Sequence, residues 1–69
     1  MTRAVTLHVR ANEGAWLVER DGAPSCAFGR CDAAVTYACE LASHLSCLWD
    51  RPSVRVLLTN VRGREYRVR

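Results

Sequence analysis

Asp32 to Trp49 reads D-A-A-V-T-Y-A-C-E-L-A-S-H-L-S-C-L-W. It contains no glycine and no proline, and no other segment is long enough for a substantial helix. Ala34, Ala38, Leu41, Leu45 and Leu48 recur at steps of four, three, four and three, which makes one apolar stripe on a helix. Asp32 suits the N-cap and the positive end of the helix dipole. Asp50-Arg51-Pro52 ends the helix, because the residue before a proline avoids the helical region.

On both sides of this stretch the pattern changes to a period of two. Residues 3–10 (R-A-V-T-L-H-V-R) turn Val5, Leu7 and Val9 to one face and Thr6, His8 and Arg10 to the other, as in a half-buried strand. Ala11-Asn12-Glu13-Gly14 is a turn. Residues 15–20 (A-W-L-V-E-R) form a second, antiparallel strand, with Trp16 and Val18 on the buried face. Asp21-Gly22 is a strong hairpin signal, and residues 25–28 make a short third strand opened by Pro24. After the helix, residues 54–59 (V-R-V-L-L-T) point Val54, Val56 and Leu58 inward. Asn60 to Gly63 turn the chain, and residues 64–69 (R-E-Y-R-V-R) close it with Tyr66 and Val68 facing one side. The expected fold is α+β and two-layered. One helix over about 32–49 packs on an antiparallel or mixed sheet of four or five short strands, in one domain spanning residues 1–69.

A chain of 69 residues buries only roughly 60% of its unfolded surface, so the core is thin. An apolar fraction of 49% argues against disorder. No run approaches the roughly 20 apolar residues of a membrane span, and the N-terminal residues lack the apolar core of a signal peptide. A cytoplasmic protein with no membrane contact is expected. Cys26, Cys31, Cys39 and Cys47 form no C-x-x-C pair. Without an export signal they read as reduced structural thiols.

The ten basic residues are all arginine, and they are unevenly placed. Residues 1–49 hold four arginines against five acids, and residues 50–69 hold six against two. A basic end attracts polyanions, and it equally protects a sheet edge from aggregation.

With these elements in place, the chain resembles a family of short bacterial proteins classed as a domain of unknown function. Its members are strand-strand-helix-strand-strand modules. The resemblance spans nearly the whole chain. It is carried by Gly14-Ala15-Trp16-Leu17-Val18, by Phe28, and by Ala34-Val35-Thr36-Tyr37-Ala38 with Leu41-Ala42. Val56-Leu57-Leu58 and Gly63-Arg64 complete it. Where the family carries a Thr or Ser cap and a Glu before the first helix alanine, this chain has Arg30 and Ala33, and its four cysteines are atypical. The resemblance implies the fold and supplies no catalytic residue.

No catalytic constellation stands out. Cys47 follows His44 by three positions, but no third group is evident to orient a nucleophile. Cys39 with His44, and Cys26 with Cys31, are each five apart, which is not the spacing of a structural zinc site. No metal or cofactor is expected. Two surfaces remain. On the helix, Cys39, Ser43 and Cys47 form a row of small residues opposite the apolar stripe. On the sheet, Thr6, His8, Arg10, Leu17, Glu19, Arg55, Leu57, Glu65, Arg67 and Arg69 are expected on the face away from the helix. Leu17, Arg55 and Leu57 on the sheet, or Cys39, Ser43 and Cys47 on the helix, are the candidate contact residues of a non-enzymatic protein-binding module. The expected partner is a second copy or another protein. The alternative is a nucleic-acid module using Arg55, Arg62, Arg64, Arg67 and Arg69 against phosphates.

Overall fold

The computed structural model describes residues 4–48 and 52–69. The elements run β1 (Ala4–Asn12), β2 (Ala15–Arg20), β3 (Ala23–Phe28), α1 (Cys31–Ser46), β4 (Ser53–Thr59) and β5 (Glu65–Arg67). One helix lies on a five-stranded sheet of order β3-β2-β1-β4-β5, so the fold is the expected two-layer α+β arrangement. The sheet is mixed. β1 pairs antiparallel with β2 and parallel with β4, while β2–β3 and β4–β5 are antiparallel. A parallel pair cannot be joined by a tight turn and needs a crossover. α1 supplies it, carrying the chain from the β3 edge back over the sheet to the far side of β1.

Both N-terminal hairpins turn on two residues of positive φ: Glu13 (49°) with Gly14 (82°), and Asp21 (51°) with Gly22 (87°). This is the turn whose twist matches paired strands. β1 therefore runs on through Ala11 and Asn12, which were expected in the turn, and the turn itself is made by Glu13 and Gly14. The Asp21 hairpin is also held from β1. Thr6 N–H donates to Asp21 Oδ1 at 2.9 Å, and Asp21 N–H donates to the Thr6 carbonyl at 2.8 Å.

The inward alternation matches expectation. Val5, Leu7, Val9, Val18 and Val56 are buried, with Trp16, Phe28, Val54 and Leu58 partly buried against them. The helix differs from its expected stripe. Its buried residues are Ala34, Ala38, Ala42 and Leu45. Ala42 replaces Leu41 at the centre because alanines let the helix backbone settle close to the sheet, which pushes the longer Leu41 to the flank. Leu48 lies beyond the last helical residue and is 41% exposed. The helix ends at Ser46 with Cys47 as its C-cap, three residues short of the expected end at Trp49, and the expected stop at Asp50-Arg51 falls outside the described residues. The helix also starts one residue early. Arg30 is the N-cap, with no side-chain cap bond. Asp32 sits in the first turn, paired with Arg30 at 2.9 Å.

Candidate binding surfaces

The face opposite α1 is built by the outward residues of each strand. Cross-strand register sets two rows across it. One runs Ala27, Leu17, Arg10, Thr59, Glu65, and the next runs Pro24, Glu19, His8, Leu57, Arg67. Among the described residues no element covers this face. Leu17 and Leu57 are half-buried on either side of β1, and Arg55 and Arg67 are exposed.

The centre of the face is a polar network that sequence reading did not foresee. Glu19 is only 7% exposed, although its side chain lies on the uncovered side. Arg10 Nε lies 3.2 Å from its carboxylate, and His8 flanks it on β1. His8 Nε2 is hydrogen-bonded to Thr59 Oγ1 at 2.6 Å. On the other side, a bulge between Val18 and Glu19 leaves Ser25 of β3 unmatched and brings Pro24 opposite Glu19. A bulge re-aims side chains locally, and here it sets Pro24 beside Glu19 in the register. Among the described residues no buried side-chain polar atom lacks a partner.

Arg69 was expected on this outer face and leaves it. The N–H groups of Val68 and Arg69 both reach the Val56 carbonyl, at 2.8 and 3.3 Å, and Val56 N–H donates to the Arg69 carbonyl. Two residues thus oppose one, which is a β-bulge, and the alternation of side chains is reset. Arg69 turns to the helix side. Its Nη1 donates to Ser43 Oγ at 2.7 Å and to the Cys39 carbonyl at 3.3 Å. The small-residue row is therefore a flank turned towards β5, not the back of the helix. Cys39 is half-buried, Ser43 is exposed and partnered, and Cys47 is the C-cap beyond the helix.

Tyr66 and Val68 were expected on one side of the last strand, opposite Glu65, Arg67 and Arg69. They lie on the helix side of the sheet, but α1 spans β3 to β4 and does not reach β5. Tyr66 is consequently 44% exposed, and the Arg64 guanidinium sits 5.5 Å from its ring centre. Arg62 and Arg64 flank a turn in which Asn60 Oδ1 accepts from both of their N–H groups, at 2.9 and 3.0 Å. An open concavity of about 310 Å³ lies beside it, lined by Arg10, Asn12, Thr59 and Asn60 among others.

All four cysteines are free. His44 and Cys47 are both exposed, joined by a backbone bond from Cys47 N–H to the His44 carbonyl at 3.1 Å. Among the described residues no three His, Cys, Asp or Glu side chains converge as a metal site. No helix among them is long and apolar enough to cross a membrane.

Comparison with protein-family models, curated proteins and solved structures finds no match.

Proposed function

We propose that this chain is a small, cytoplasmic, non-enzymatic binding module that acts through protein contacts and self-associates. The observation that carries this reading is the uncovered sheet face, with Leu17 and Leu57 half-buried on either side of a polar centre. Apolar residues set among satisfied polar groups are the usual anatomy of a protein contact. Arg10 and Glu19 neutralise each other at 3.2 Å, so a protein surface meets no unpaired charge at the middle of the face. Arg55 and Arg67 stand exposed at one side, where acidic groups of a partner would meet them.

Light scattering at low and high salt tests this. Association that persists at high salt and is lost on Leu57→Glu supports contact through the face. A chain that is monomeric under both conditions sinks self-association.

A second reading has its own support. Tyr66 is 44% exposed beneath Arg64, and an exposed aromatic beside arginines is what stacks single-stranded bases. Arg62 and Arg64 would then contact phosphates beside the ring, while Arg55 and Arg67 lie on the opposite sheet face and Arg69 is held by the helix. Binding to a single-stranded oligonucleotide that weakens steeply with salt would favour this alternative.

A further inference from the structure

The two edges of the sheet are unequal. β3 carries Pro24, which has no N–H, and a bulge at Ser25; both devices block pairing of an edge. β5 has neither within Glu65–Arg67, and among the described residues nothing pairs with its free side. Asn60 N–H donates to the Arg64 carbonyl, and Val68 N–H to the Val56 carbonyl. By alternation Arg64, Tyr66 and Val68 turn their backbone groups to β4, so those of Glu65 and Arg67 point outward.

We infer that β5 pairs with β5 of a second copy, antiparallel about a two-fold axis at Tyr66, making a continuous sheet through both protomers. The register follows from the sequence of the strand itself. With Tyr66 opposite its own copy, Glu65 lies opposite Arg67 and Arg67 opposite Glu65. Both are the residues with outward backbone groups, so each pair exchanges two backbone hydrogen bonds. Each pair also joins opposite charges across the seam, on the sheet face away from the helix. On the helix side the two Tyr66 rings meet at a closely spaced pair, covering surface that α1 does not reach. A one-residue slip would misalign the backbone groups and lose both charge pairs. The strand is short, so the contact is weak and responds strongly to these charges.

This inference goes beyond the face contact proposed above and does not need it. It is tested in a chain carrying Leu17→Glu, three strands from β5 and on the face, so that sheet-on-sheet contact is removed. Light scattering over a dilution series should still find a dimer. Adding Glu65→Arg or Arg67→Glu places like charges opposite each other and should weaken dimerisation roughly tenfold or more. Combining the two reverses both charges and should restore it. All the altered positions on β5 are exposed, so circular dichroism should be unchanged. A Leu17→Glu chain that is monomeric at every concentration overturns the edge contact. Single swaps without effect, or a double swap that does not recover, also overturn it. In the otherwise unaltered chain, a dimer indifferent to the swaps and lost on Leu57→Glu overturns the edge alone and leaves the face reading standing.

Discussion

Arg10 Nε stands 3.2 Å from a Glu19 carboxylate that is buried on the side of the sheet facing away from α1. The pair is lopsided: the Arg10 side chain is 51% exposed and that of Glu19 9%. Removing the cation leaves an acceptor with little access to water. Arg10→Met should therefore destabilise by about 1–2 kcal/mol, between the value of an exposed pair and that of an orphaned buried group. Arg10→Met with Glu19→Leu should recover most of the loss, because no charge is then left behind. Urea unfolding of the three chains measures this, and a double variant as weak as the single would contradict it.

The helix meets the sheet through alanines. Ala38 is fully buried among them, so Ala38→Leu must force α1 off the sheet and should cost about 1–3 kcal/mol. Leu7 is the largest fully buried side chain, and Leu7→Ala should cost about 2–5 kcal/mol. In so small a domain that is a large part of the total, and thermal melts should show the Leu7→Ala chain largely unfolded at room temperature.

Two glycines separate backbone strain from packing. A Cβ on either Gly22 or Gly29 would meet nothing within 4 Å. Gly22 sits at φ +87° and Gly29 has no such φ. Gly22→Ala should destabilise by roughly 1 kcal/mol or more through the backbone alone. Gly29→Ala should be neutral or stabilise by up to about 1 kcal/mol, by restricting the unfolded chain. Equal effects in denaturant titrations would rule out the positive-φ turn as the cause.

Arg69 ties the end of the sheet to the helix through Ser43 at 2.7 Å. Both residues are exposed, so Ser43→Ala should change global stability by no more than about 0.5–1 kcal/mol. The effect should be local. Amide exchange at Val56 and Val68, whose N–H groups form the bulge ladder, should accelerate while exchange in β1 does not. Uniform acceleration would mean that the contact is part of the core after all.

The architecture was readable because period and turn chemistry are local properties. Alternation in 3–10 and 54–59, Asp21-Gly22, and the unbroken run from Asp32 each act within a few residues. The surface was less readable. Glu19 alternates outward like any strand glutamate, and yet it is buried beside Arg10, His8 and Pro24, which only the register brings together. Tyr66 and Val68 have the inward parity of core residues, but parity does not say how far a helix reaches. Arg69 has outward parity, and a bulge one residue earlier reverses it.

The sequence by itself determined the helix, the strands, the inward faces of β1 and β4, and the two hairpins, since each follows from side-chain spacing and backbone preference along the chain. Tertiary structure decided the parallel pairing of β1 with β4, the choice of Ala42 over Leu41 as core, the burial of Glu19 and the turning of Arg69 towards α1. These depend on how the crossover lays the helix over β1 to β4, leaving β5 and the opposite face without cover among the described residues.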